Sequence, residues 1–239
     1  MKKSINYIKN EKVIIYSDLS LLLIKNKPTT IINNTLKIIK ILIKNKNTII
    51  IPTFNFNFAK TKKTSFNPDL ITTGYLNKSL LKKYNFKRTD KPIYNYGVLG
   101  PKALDILNLE QKTAFGTDSV IGHLSLNKSI CLGIGIEPIN FNWVTIHVCE
   151  ELGKVPYRFF KKFVGLNLNT KKKVSEIIFV RKKSFNVVNT GKKINETLIK
   201  KKKITKTKFK NLNLVNLRLN DYFKEGMKLL KKNKFALTK

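Results

Sequence analysis

The chain has 239 residues and a formal net charge of +34, from 48 Lys and Arg against 14 Asp and Glu, which excludes a neutral or acidic domain. With 42% hydrophobic and 10% aromatic residues it can build a core, so disorder along the whole length is excluded too. No apolar run approaches the roughly 18 residues of a membrane span, and the opening residues lack the apolar stretch of a secretory signal, so the expectation is a cytoplasmic chain with no membrane span.

Val13, Ile14, Ile15 and Tyr16 form a short β-branched run before the turn-prone Ser17-Asp18, which predicts a buried strand entering a loop. Over residues 30–43 the period changes. Ile31, Ile32, Thr35, Ile38, Ile39 and Leu42 fall near helical spacing, predicting an amphipathic helix capped near Thr29 or Thr30. A second strand over 48–51 ends at Pro52, and strand, helix, strand in this order is the pattern of a parallel βαβ unit buried on both faces. Between Pro52 and Pro101 the chain is polar and aromatic, periodic only over 76–84, as a site-forming loop region is. Gly100-Pro101 leads into a short helix over 102–107, with Pro101 in its first turn. A helix over 119–124, a strand over 129–136 and a helix over 143–152 come next. From Lys161 onward lies half of the Lys and Arg, with Glu176, Glu196, Asp221 and Glu225 as the only acids. Even so, 176–181 reads as a strand, and Val187-Val188 and 212–219 alternate as strands do. The whole chain, 1–239, is therefore expected to form a single α/β domain that includes the very basic part from 160 to 239.

The positive excess has two readings. Arg88, Arg158, Arg181 and Arg218 are the only arginines, and the abundant Lys, Asn and Ile share A/T-rich codons. Residues of this kind accumulate on solvated surfaces, whereas nucleic-acid readers favour the bidentate fork of Arg. Nucleic acid is thus not the expected partner, and a non-enzymatic polyanion or nucleic-acid binder stands as the alternative. Cys131 and Cys149 are too few for a disulfide scaffold and show no metal spacing.

His147 and Glu150, three apart in a helical segment, fall on one face within reach of each other. A carboxylate bonded to one ring nitrogen fixes the tautomer and leaves the other as a proton acceptor, so the pair is a candidate acid–base centre. It follows a strand ending in Gly133-Ile134-Gly135, where open α/β sheets form ligand crevices, although these glycines alone are too short for a nucleotide fingerprint. His147-Val148-Cys149-Glu150-Glu151 is also similar to a metalloprotease helix whose second His is replaced, which assembles no zinc triad. A further alternative is a hydrolase with Cys149 as nucleophile, although neighbouring side chains on a helix diverge. His123 reads as a surface or capping residue.

Several stretches together resemble the aminoglycoside 3-N-acetyltransferases, the antibiotic N-acetyltransferase family that is unrelated to the commoner GNAT enzymes. They are Val13 to Leu19, similar to the family's strand and His-Ser-Ser-Leu turn; Thr48 to Phe54, similar to Gly-Thr-Leu-x-x-Pro-Thr-Phe; and Gly74 in the loop that follows. Arg88-Thr89-Asp90-Lys91-Pro92 with Gly100-Pro101, then Gly116-Thr117-Asp118-Ser119, then His147-Val148-Cys149-Glu150 resemble Arg-Ser-x-His-Pro with Gly-Pro, Gly-x-x-Ser and His-x-x-Glu. Val155-Pro156-Tyr157-Arg158 is similar to members found with surface-polysaccharide genes. The resemblance implies a central mixed, largely parallel sheet flanked by helices, acetyl-CoA as donor, no metal, and a primary amine on a sugar as acceptor. It makes His147 the base and Glu150 its partner, and offers Ser17, Thr53 and Ser119 hydroxyls and Arg88 to the cofactor. Where the family has His, Ser and His, this chain has Tyr16, Asp18 and Lys91. Asp18 and Lys91, with Tyr94, are therefore the expected substrate contacts. The scarcity of acids turns the expected acceptor from a polycationic drug toward an amino sugar of surface-glycan metabolism. An inactive member of the family is the second form of the non-enzymatic alternative, and the oligomeric state stays open, a homodimer included.

Overall fold

The computed structural model describes residues 5–24 and 26–239. The first unit is β1 (Lys12–Ser17), α1 (Ser20–Leu23), α2 (Pro28–Lys44) and β2 (Thr48–Pro52), with β1 and β2 parallel as expected. Next come α3 (Phe58–Thr61), β3 (Lys63–Thr64), α4 (Tyr75–Lys83), β4 (Lys87–Arg88) and β5 (Tyr96–Leu99). The middle holds α5 (Ala103–Leu107), α6 (Val120–Leu126), β6 (Ser129–Ile134) and α7 (Thr145–Leu152). The basic part supplies β7 (Arg158–Asn167), β8 (Lys173–Arg181), α8 (Lys192–Lys200), β9 (Thr205–Phe209), β10 (Leu212–Arg218) and α9 (Leu219–Lys232).

A seven-stranded sheet runs β4-β5-β2-β1-β6-β10-β9, and β3-β7-β8 form a smaller second sheet. The main sheet is mixed, but its parallel part is narrower than expected. Only β2, β1 and β6 run parallel, while β5, β4, β10 and β9 join antiparallel. The connections from β4 to β5 and from β9 to β10 are too short for a parallel crossover, which needs a dozen or more residues.

The central strands are buried on both faces, which is why they read as unbroken apolar runs. Val13, Ile15, Ile49 and Ile51 share one core with Ile31, Ile38, Ile39 and Leu42 of α2. Ile14, Tyr16, Ile50 and Cys131 share the other with residues of α6, α7, α8, α9 and β8. The basic part is built into this second core: Leu219, Tyr222, Gly226 and Leu230, at helical spacing, form the buried side of α9 and leave its lysines to solvent.

Three local expectations are corrected. α2 starts at Pro28 with Lys27 as N-cap, so Thr29 and Thr30 lie inside its first turn; the fixed φ of proline suits the first helical position. Pro101 lies in a turn, and α5 starts only at Ala103. Val187 and Val188 form no strand. The Val188 N–H instead donates to the Lys239 carbonyl at 2.9 Å, beside an isolated bridge between Asn189 and Thr238. Among the described residues no helix is long and apolar enough to cross a membrane.

Candidate active site

Gly135 has φ 71° and a Cβ there would overlap the Asp18 carbonyl oxygen, so the end of β6 presses against the turn after β1. The Asp18 N–H donates to the Ile134 carbonyl at 3.0 Å and fixes this approach. From here the chain passes to α7, whose Ile146, Val148 and Cys149 pack into the core. His147 keeps 24% of its side chain exposed, while that of Glu150 is wholly buried.

His147 Nδ1 lies 2.7 Å from Glu150 Oε2. The Tyr157 hydroxyl donates to Glu150 Oε1 at 2.9 Å, and the Asn189 amide donates to the same oxygen. Arg158 places Nε 3.0 Å from Oε2, an ion pair whose alignment falls short of a hydrogen bond. Its Nη1 and Nη2 donate to the Phe179 carbonyl at 2.8 Å and to Asn189 Oδ1 at 2.7 Å. Burial would raise the Glu150 pKa, but the His147 hydrogen bond and charge, the Arg158 charge and the Asn189 amide outweigh it and hold the carboxyl below its ordinary value. Glu150 is thus an ionised orienting group for the imidazole.

The Phe115 ring lies 4.9 Å from that of His147, and Tyr94 lies 4.7 Å from Phe115, so Tyr94 reaches the centre through Phe115. Burial pushes the Tyr94 phenol up to about 12, with Glu176 and Glu150 adding to it and Arg158 opposing. Lys91 is half-buried in the same connection.

The other residues selected from the sequence fall in three places. Ser17 and Asp18 line a cleft of about 510 Å³ with Leu19, Gly74 and Tyr75. Asp18 also accepts from Ser20 N–H at 3.1 Å and from Ser20 Oγ at 2.6 Å, just before α1, whose N-cap is Leu19. Thr53 and Arg88 form a brace around Asn95: the Thr53 hydroxyl donates to Asn95 Oδ1, Arg88 Nε donates there at 3.0 Å, and Arg88 Nη2 donates to the Thr53 carbonyl at 3.1 Å. Burial pushes the Arg88 pKa down to about 10, which leaves the guanidinium charged at neutral pH. Ser119 is the fully buried N-cap of α6, donating to the Gly116 carbonyl at 2.7 Å and accepting from Gly122 N–H at 3.0 Å.

The Cys149 alternative fails. Its thiol is fully buried, with Sγ directed at the Phe223 carbonyl 3.7 Å away, and burial pushes its pKa well up. Among the described residues no group of three His, Cys, Asp or Glu side chains is placed to hold a metal ion.

Sequence reasoning found His147 and Glu150 but assigned no role to Tyr157, Arg158, Asn189 or Phe115. Tyr157 and Arg158 had a signal in the Val-Pro-Tyr-Arg string. Asn189 had none, since it is 39 residues from Glu150 and is carried there by pairing with the C-terminal residues.

Residues 23–231 match the family model for aminoglycoside 3-N-acetyltransferase. The fold is similar to that of an aminoglycoside acetyltransferase, AAC-VIa bound to sisomicin, with a TM-score of 0.71 at 13% identity over 95% of this chain and 93% of that one. It is also similar to the AAC(3)-IVa apoenzyme (TM-score 0.67, 16% identity, 96% and 85% of the two chains). YokD from Bacillus subtilis has a TM-score of 0.68 at 14% identity over 94% and 88%. No curated protein sequence matches this chain. The match over residues 23–231 shows that the chain belongs to the aminoglycoside 3-N-acetyltransferase family of acyltransferases.

Proposed function

We propose that this chain transfers an acetyl group from acetyl-CoA to a primary amine of an aminoglycoside-like amino sugar, with His147 as general base and Glu150 as its orienting partner. One observation carries the proposal: a partly exposed imidazole held through Nδ1 by a fully buried carboxylate, which has three further partners. With Nδ1–H bonded to Glu150, His147 presents the Nε2 lone pair to solvent-accessible space. His147 takes the proton that the amine loses as the C–N bond forms, and returns it to the thiol as the C–S bond breaks. Glu150 stabilises the imidazolium that exists between these two transfers. Acetyl-CoA, when bound, supplies the activated thioester. The cleft beside Ser17 and Gly74, largely apolar in its walls, is where we place the pantetheine arm of the donor. We place the reaction in the cytoplasm, where acetyl-CoA is available.

The test is release of free thiol from acetyl-CoA by the purified protein with a panel of amino sugars and aminoglycosides, against a control lacking acceptor. Acceptor-dependent release that disappears in His147→Ala is the expected result. Absence of both acetyl-CoA binding and turnover, with strong salt-sensitive binding to generic DNA, would instead favour a polyanion binder on an acetyltransferase fold.

A further inference from the structure

Glu176 is a buried carboxyl that the His147–Glu150 pair does not use. It projects from β8 with 3% of its surface exposed. The Ile93 N–H donates to its Oε2 at 2.7 Å, and the Tyr94 N–H donates to Oε2 at 3.1 Å and to Oε1 at 3.3 Å. The opposite side of the same segment is tied to the chain beyond β2: Asn55 N–H donates to the Ile93 carbonyl at 2.9 Å and Thr53 N–H to the Asn95 carbonyl at 3.0 Å. The connection from β4 to β5 is therefore clamped between a backbone ladder on one side and a single carboxylate from the second sheet on the other. Buried backbone donors require partners, and an apolar side chain at 176 would leave these two without one.

What the clamp holds is a row of rings. The Tyr94 ring lies 5.6 Å from Phe56, 4.9 Å from Phe54 and 4.7 Å from Phe115, and Phe115 lies 4.9 Å from His147. Phe56 is 47% exposed, so the row leads from solvent to the imidazole. Phe115 is itself buried, with 1% of its surface exposed, so it joins Tyr94 to the imidazole by packing, and exposed Phe56 with half-buried Tyr94 are the rings that the C–H face of a sugar would meet.

We infer that Glu176 is a positioning residue: its carboxylate, acting through the Ile93 and Tyr94 backbone, sets Phe56 and Tyr94 as an acceptor wall that buried Phe115 holds at a fixed distance from His147. The acceptor role of the wall rests on the transfer reaction proposed above, whereas the clamp does not. Burial raises the Glu176 pKa to about 7 against the opposing N–H groups. Lys91 lowers it and Asp90 raises it, and the phenols of Tyr94 and Tyr96 also face it.

Amide NMR on the ligand-free protein tests the clamp. In the wild type the Ile93 and Tyr94 amide resonances should titrate together with a midpoint near neutral pH. In Glu176→Gln that titration should vanish and these two amides should exchange about tenfold faster, with the amides of α2 unchanged. Thiol-release kinetics with sisomicin and glucosamine should show a raised acceptor KM at nearly constant kcat. Absence of the wild-type titration, unchanged exchange in the variant, or protection lost throughout the main sheet would each overturn the inference. Should Glu176→Gln fail to fold, the shorter Glu176→Asp, which keeps the charge but withdraws the carboxyl, should show the same faster exchange of the Ile93 and Tyr94 amides. If neither acceptor is acetylated by the wild type, the transfer reading loses support while the amide data still judge the clamp.

Discussion

The two histidines sit on consecutive helices packed against the same core, and they differ in what makes an imidazole a base. His147 meets a wholly buried carboxylate that Tyr157, Asn189 and Arg158 hold in place. His123 meets an ammonium: Lys12 Nζ lies 3.0 Å from its Nε2, and the nearby Asp105 is 53% exposed and pairs with Lys12 at 3.4 Å. Burial first, then the Lys12 charge, pushes the His123 pKa down. A carboxylate on one ring nitrogen frees the lone pair of the other, whereas an ammonium occupies the lone pair itself. What distinguishes a base is thus the group behind the imidazole and the packing that immobilises that group.

The largest expected effect is on His147. His147→Ala should lower acetyl transfer by about 100-fold or more in the thiol-release assay, and a rate within threefold of wild type would remove it from the mechanism. Truncating its partner tests the other half of the contrast. Glu150→Ala leaves the Arg158 guanidinium buried without its counter-charge and should cost about 3–5 kcal/mol in urea unfolding, whereas an exposed pair such as Lys82–Asp69 is worth about 1 kcal/mol or less.

Two buried carboxyls give opposite pH signatures. Glu150 is held below its ordinary 4.5, so its contribution to stability is present above that value and is lost as pH falls through the lowered one. Glu176 is raised from 4.5 to about 7, so its contribution is complete below 4.5 and is lost as pH rises through about 7. The stability difference between wild type and Glu150→Gln should therefore shrink toward acid, and that between wild type and Glu176→Gln toward alkali. Unfolding midpoints from about pH 2 to 9 check both signs.

Smaller effects complete the comparison. Ser119→Ala removes the cap of the helix that carries His123 and should cost about 1 kcal/mol with little change in transfer. His123→Ala should alter transfer by less than about twofold, since its lone pair already has a partner and the ring lies outside the His147 network. A large loss of transfer in His123→Ala at unchanged stability would break the distinction drawn between the two histidines.

The sequence by itself determined what depends on neighbours along the chain. Apolar runs located β1, β2 and β6, helical spacing located α2, and a His and Glu three apart on a helix face were bound to meet, because 3.6 residues per turn leaves them little choice. It left out the parts made by distant segments. Tyr157 and Arg158 reach Glu150 only after the turn beyond α7, and Asn189 arrives through pairing with Thr238. Glu176 meets Ile93 and Tyr94 across 83 and 82 positions because β8 packs over the β4–β5 connection. The alternation that made Val187-Val188 look like a strand is a local property, whereas a strand needs an extended partner edge, and the fold offers this stretch only a short pairing with residues 237–239. Local geometry placed the His147–Glu150 pair, and only the docking of the second sheet and the C-terminal residues decided how that pair is charged and held, since those contacts depend on packing between segments far apart in the chain.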